Sequence, residues 1–289
     1  MEKEQVGLSE NKMGVVPVNK LLVSMAWPMI LSMLVQAMYN VVDSIFVSRL
    51  SENALTAVSL AFPIQIILIA MGTGAGVGMN AILSRALGEK DQKTVNRVAE
   101  TGVFLALASF VVFLLVGIFF SRPFFLSQTD DMEIVEYGTQ YISICCIFSF
   151  GIYFELVFER MLQSTGKTIF SMFSQLIGAL TNIVLDPILI FGLLGAPKMG
   201  VAGAAAATVA GQILAAMVAF VLNHKFNRDV RISLRGIFRP KLDFIVNIYK
   251  VGLPSIVMQS IGSVTNYGMN LILIGFTRTT RSCGSPPYR

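Results

Sequence analysis

Residues 21–47 read LLVSMAWPMILSMLVQAMYNVVDSIFV. The stretch holds no Lys, Arg, Asp or Glu until Asp43. About 20 mainly apolar residues cross a hydrocarbon core of roughly 30 Å as a helix, so this segment spans a membrane. Outward from it lie six more charge-free stretches, at 54–84, 101–121, 137–154, 168–185, 199–223 and 251–277, each of 18 residues or more. Across the 289 residues only 13% are Asp, Glu, Lys or Arg, and mean hydropathy is +0.70. A soluble domain carries about 25% charged residues. The fold class that follows is an all-α integral membrane protein with seven spans. A soluble enzyme, a DNA-binding protein and a secreted disulfide scaffold are excluded.

The three cysteines set no disulfide framework: Cys145 and Cys146 fall inside the fourth span and Cys283 near the C-terminus. With His224 as the single histidine, no His/Cys metal cluster can be built, so neither a metal nor a cofactor is expected. Residues 1–20 are polar and lead straight into a full span, which is not the pattern of a cleavable signal. The net charge of +5 is a matter of topology rather than of nucleic acid. With a cytoplasmic N-terminus, the cytosolic loops hold 16 Lys and Arg, and the opposite loops hold Arg49, Arg122 and Lys198. Basic residues are retained on the cytoplasmic side, so the N-terminus is predicted inside a bacterial-type plasma membrane. The acidic loop with Asp130, Asp131, Glu133 and Glu136 falls outside.

Span 7 resembles span 1 in layout. Aligning Pro28 with Pro254 pairs Ala26 with Gly252, Ile30 with Ile256, Leu31 with Val257 and Val35 with Ile261. Spans 1 to 6 are an even number, so span 7 runs in the direction of span 1, as in a transporter built from two parallel halves. The expected organisation is a cytoplasmic tail (1–20), a six-helix lobe (21–223), a basic cytoplasmic loop (224–250), the first helix of a second lobe (251–277) and an aberrant tail (278–289). Arg278, Arg281 and Arg289 in that tail fall on the side where other loops are poor in cations. This reads as a truncated or frame-shifted end. A natural seven-span protein is the alternative.

Ionisable residues inside a membrane are functional candidates, because each costs about 2.5–3.5 kcal/mol to insert. Two aspartates qualify. Asp43 lies late in span 1 and Asp186 late in span 5, which run in the same direction and bring both to a similar depth. A carboxyl in such surroundings can take up a proton on one side and release it on the other. Gln36 and Asn40 precede Asp43 by seven and three residues, and Asn182 precedes Asp186 by one turn, so all three share a helical face with their aspartate. They can hydrogen-bond a carboxyl or a cation. Pro187 follows Asp186 and removes a backbone donor, so with Pro28 and Pro254 it marks a site where a helix can kink. Glu155, at the inner end of span 4, reads as an interfacial or ion-paired group. The run GTGAGVGMN at 72–80 lacks the strand and lysine of a phosphate loop, and reads as close helix packing. Gly203, Ala207 and Gly211 read the same way. The 15 Met and 21 Phe line lipid and helix contacts, and any that face a cavity would make it adaptable.

Five segments together resemble the multidrug and toxic compound extrusion (MATE) family, in its DinF-like branch: WPMILSMLVQAMYNVVDSIFVSRL (27–50), GTGAGVGMNAILSRALGEKD (72–91), LQSTGKT (162–168), TNIVLDPILIFG (181–192) and MGVAGAAAATVAGQ (199–212). The resemblance covers roughly residues 15–276. It implies twelve helices in two six-helix lobes around a central cavity, and export of organic, often cationic compounds driven by inward H⁺ or Na⁺. It implies an acidic coupling site in the first lobe, mapped onto Gln36, Asp43, Asn182 and Asp186, with Thr208 as a further member. Span 7 has no acidic residue, so the acidic span-7 site of other branches has no counterpart. The expected function is a cation-coupled antiporter, with small organic substrates and the bilayer as partners and no nucleic acid. The rivals are an inactive fragment and a lipid-linked oligosaccharide flippase of the same superfamily. Such flippases rely on cavity arginines, and none of the seven spans contains one. An intramembrane aspartyl protease also needs two membrane aspartates, but commonly in GxGD, whereas NVV and IVL precede Asp43 and Asp186.

Overall fold

A backbone in hydrocarbon has no water to bond, so each apolar stretch closes its own hydrogen bonds as a helix. A computed structural model describes residues 17–284. In chain order the helices are α1 (Val18–Ser48), α2 (Glu52–Gly88), α3 (Gln92–Phe119), α4 (Ser121–Gln128), α5 (Met132–Ile147), α6 (Phe150–Ser164), α7 (Thr168–Phe191), α8 (Val201–Phe226), α9 (Leu234–Ile237) and α10 (Leu242–Gly284). A 3-10 turn at Leu193–Gly195 follows α7. No strand occurs among the described residues. Among the described residues six helices are long and apolar enough to span a membrane, and the α5–α6 pair, bent by 46° at its break, adds a seventh if it crosses as one span. The chain is thus a multi-pass membrane protein.

Two boundaries differ from the sequence reading. The fourth span is a broken pair rather than one helix. No proline marks the break. Beside it, Gly151 meets α8 so closely that a Cβ there would stand 2.9 Å from the Ile213 side chain. α10 starts at Leu242, inside the stretch read as loop, and its backbone continues as helix through residues read as tail. Absence of charge marks only the part of a helix suited to hydrocarbon, and helical backbone extends past it. Of the C-terminal arginines, Arg289 lies outside the described residues, as does most of the 1–20 tail.

The helix ends follow local chemistry. Ser51 caps α2 by accepting from the Ala54 amide at 3.0 Å. Asp91 caps α3, accepting from the Lys93 and Thr94 amides and, at 2.6 Å, from the Thr94 hydroxyl. The Thr94 hydroxyl above all holds the Asp91 carboxyl below the usual carboxylate range. α7 ends at Gly192, whose φ of 77° is left-handed and easily reached only by glycine.

Packing relies on small residues, because lipid tails give helices no hydrophobic reason to associate and close van der Waals contact must serve. The glycines of 72–78 split into two faces. Gly74 and Gly78 face α10, where a Cβ on either would collide with Ile256 or with the Ile248 carbonyl. Gly72 and Gly76 face α6, against Leu156 and Arg160. Ser263 Oγ then donates to the Pro63 carbonyl at 2.7 Å, joining α10 to α2 again. Gly203 and Gly211 bring α8 against α7 in the same manner, with a Cβ at Gly211 only 2.7 Å from the Gly178 carbonyl. α1 packs mainly on α7, and α6 on α8 and α2.

The basic segment after α8 is pinned rather than free. Lys167 Nζ donates to Asn227 Oδ1 at 3.1 Å and pairs with Asp229 at 3.0 Å. Gln92 donates to the Asp229 carbonyl at 2.8 Å, and the Arg231 and Ser233 amides donate to Asn96 and Glu100 at 3.0 and 3.2 Å. The one-turn α9 sits over α3, where a Cβ at Gly236 would strike the Glu100 carboxylate.

Candidate functional site

The site begins where α1 crosses α7. Four-residue spacing puts Asn182 and Asp186 on one face of α7, and both are buried, Asp186 fully. The Asn182 amide fits its neighbours with its nitrogen 3.3 Å from the Asp186 carboxylate and its oxygen accepting from the Thr208 hydroxyl at 3.2 Å. Thr208 comes from α8, held near by the glycine contacts just described. Asp43 comes from α1. It is buried, its Oδ1 has no hydrogen-bond partner, and it lies within electrostatic range of Asp186.

A cavity of about 150 Å³ adjoins this cluster. Gln36, Asn182 and Thr208 line it, with Tyr39, Glu155, Glu159, Arg160, Gln163 and Gln175, between apolar walls that include Met29, Met33, Ile69, Ile152 and Leu156. Asn182 therefore touches Asp186 on one side and the cavity on the other. A change at the carboxyl can reach a bound molecule through one amide.

Most of the predicted residues come together, with exceptions. Asn40 is exposed, and no hydrogen bond links its side chain to Asp43 among the described residues. Three residues advance a helix by 300°, which turns Asn40 to one side of Asp43, while the residue four before lies to the other. That residue is Tyr39, which lines the cavity together with Gln36. The 3.6-residue period places both within the same arc, and only the position of α7 decides between them. Pro28, Pro187 and Pro254 lie inside unbroken helices, as does Pro63. Pro28 is buried and Pro254 exposed, so the two positions aligned by the repeat differ in surroundings.

Glu155 and Arg160 both lie on α6 and line the cavity, which the sequence reading did not assign to either. Glu159, one turn after Glu155, is 3% exposed. Its Oε1 accepts from Gln163 at 2.7 Å, from Ser171 at 2.9 Å and from Gln175. Arg160 Nη1 donates to Gln163 at 2.7 Å, while its Nε and Gln175 Oε1 are buried without partners. The sequence signal was the spacing of 155, 159 and 163 on one helical face.

A family model described as MatE matches residues 28–188, more than half of the chain. The multidrug export protein MepA of Staphylococcus saprophyticus is 27% identical over 250 residues, 86% of this chain and 54% of that protein. MepA of Staphylococcus aureus is 27% identical over 258 residues, 89% of this chain and 56% of its own length. A solved structure described as the outward-facing conformation of a multidrug resistance MATE family transporter of the MOP superfamily superposes with a TM-score of 0.77 at 33% identity, covering 83% of this chain and 52% of that one. The chain spans about half the length of the curated relatives it matches.

Proposed function

We propose, since this chain belongs to the MatE family, that its six-helix lobe binds and releases the coupling cation of a multidrug antiporter. H⁺ or Na⁺ moves inward while an organic compound, often cationic, moves out. The observation that carries the reading is the buried chain from Asp186 through Asn182 to Thr208 on the cavity wall, beside an Asp43 oxygen with no partner. A buried carboxylate without a counter-charge is strongly unfavourable. Asp43 and Asp186 are therefore stable with a proton on the carboxyl or a cation between them. Emptying and filling the pair changes what α1 and α7 prefer, and Pro28 and Pro187 are the positions where each helix can yield. A potential of 100 mV contributes about 2.3 kcal/mol for each charge moved, enough for roughly 50-fold accumulation per ion.

The orientation that agrees with the basic loops puts the N-terminus in the cytoplasm and the aspartate pair toward the outside. Cleavage chemistry at two aspartates is disfavoured because the resemblance is to transporters throughout.

A second reading, a flippase for an anionic lipid-linked headgroup, gains from Arg160, since a cavity arginine is now present. Glu155 and Glu159 on the same wall count against it, because each would repel such a headgroup.

The test is transport by the chain in proteoliposomes, with ethidium as probe and imposed H⁺ or Na⁺ gradients. The wild-type chain is expected to move ethidium against its gradient, and Asp43→Asn and Asp186→Asn to lower that rate at least tenfold. Gradient-driven transport that survives Asp43→Asn overturns the coupling site. No transport by the wild-type chain overturns the antiporter reading for this chain.

A further inference from the structure

Glu155 and Glu159 are the two carboxylates that line the cavity, and they differ. Among the described residues no hydrogen bond or ion pair reaches Glu155. Its neighbour Glu159 is already occupied by three donors on one oxygen. The cation that could have neutralised Glu155, Arg160, is turned to Gln163. An unpaired carboxylate in low-dielectric surroundings is stabilised by an opposite charge from a ligand. Glu155 is also carried by the half-span that follows the break, and broken membrane helices characteristically form ligand sites.

We propose that the Glu155 carboxylate is the counter-ion that selects positively charged organic molecules in the cavity between α1, α6 and α7. The proposal rests on the efflux reading above and adds a substrate-selecting residue separate from the aspartate pair. The rest of the cavity fits an organic cation better than a metal ion. Met29 and Met33 offer a polarisable, adaptable wall. Tyr39 lies within electrostatic range of Glu155 and presents an aromatic ring, which attracts cations across its face. A volume of about 150 Å³ admits a single aromatic ring. The ligand is thus one ring, or one arm of a larger compound, bearing a positive charge directed at Glu155.

The experiment uses the 289-residue chain in lipid nanodiscs, with empty nanodiscs as background. The probes are phenyltrimethylammonium and its uncharged carbon isostere tert-butylbenzene, followed by saturation-transfer NMR titration. Glu155→Gln is expected to weaken phenyltrimethylammonium at least tenfold and to leave tert-butylbenzene within about twofold. Glu155→Asp is expected to recover most of the cation binding. Among the described residues Glu155 makes no hydrogen bond, so Glu155→Gln is expected to unfold thermally with the wild type. Undiminished cation binding by Glu155→Gln overturns the proposal. So does equal loss of both probes, which marks a structural role, and so does absence of cation binding by the wild-type chain. Cation binding that depends on Glu155 in a chain that shows no gradient-driven transport supports the site and sinks the antiporter reading alone.

Discussion

Asn182 and Glu159 are both buried polar residues with several partners, yet they carry different weight. Glu159 is the junction of α6 and α7: Gln163, Ser171 and Gln175 all donate to one oxygen. Glu159→Leu strands those donors in the interior. Each unsatisfied group costs about 1–3 kcal/mol, so the melting temperature of the detergent-solubilised chain is expected to fall steeply. Asn182 joins α7 to α8 only at Thr208, whose hydroxyl and amide both lie 3.2 Å from its oxygen. Interhelical hydrogen bonds in membranes average about 0.6 kcal/mol and reach about 1.7. Asn182→Ala is thus expected to change the melting temperature little while lowering gradient-driven ethidium transport at least tenfold. A fall in stability as large as that of Glu159→Leu would make Asn182 structural and remove it from the coupling site.

At the scale of the element, the glycines of α2 and the capping of α3 decide the packing. A side chain at Gly78 must displace the α10 backbone at Ile248. Gly78→Leu is expected to cost about 1–3 kcal/mol through overpacking. Gly262→Ala, where a Cβ meets nothing within 4 Å, is expected to be neutral in the same unfolding measurement. The pinned segment after α8 depends on Lys167. Lys167→Ala removes its bonds to Asn227 and Asp229, and trypsin is expected to cut faster at Arg228, Arg231, Arg235 and Arg239. Unchanged cleavage kinetics would show that Gln92, Asn96 and Glu100 hold the segment without it. Asp91 adds a pH dependence. Its carboxyl is held below the usual range in the folded chain. The stability it contributes is complete above the ordinary carboxylate value and is lost as pH falls through the lowered one. Fraying of the first turn of α3 on acidification, absent in Asp91→Asn, is the expected hydrogen-exchange signature.

At the scale of the whole molecule, the asymmetry of Lys and Arg predicts which end of the lobe faces the cytosol. With Cys145, Cys146 and Cys283 replaced by Ser, a membrane-impermeant maleimide is expected to label Met132→Cys in intact cells and Lys93→Cys only after permeabilisation. The reverse pattern would invert the topology and put the aspartate pair at the cytoplasmic end. The membrane class, the helical apolar stretches and the burial of two aspartates were legible in the chain itself, because each is a local matter. A charge in hydrocarbon is costly wherever the helix sits, and a stretch of apolar residues crosses a bilayer whatever its neighbours. The break between α5 and α6 was not legible, since no proline marks it. The placing of Glu155 and Arg160 on the cavity wall was hidden too. The choice of Tyr39 over Asn40 was hidden too, because one helix's period cannot tell which side of its polar face a second helix will cover. Hydropathy and charge act one residue or one span at a time, so the sequence alone determined what this protein is made of and where it resides. Which side chains share a cavity depends on how helices distant in the chain cross, and only the tertiary structure decided that.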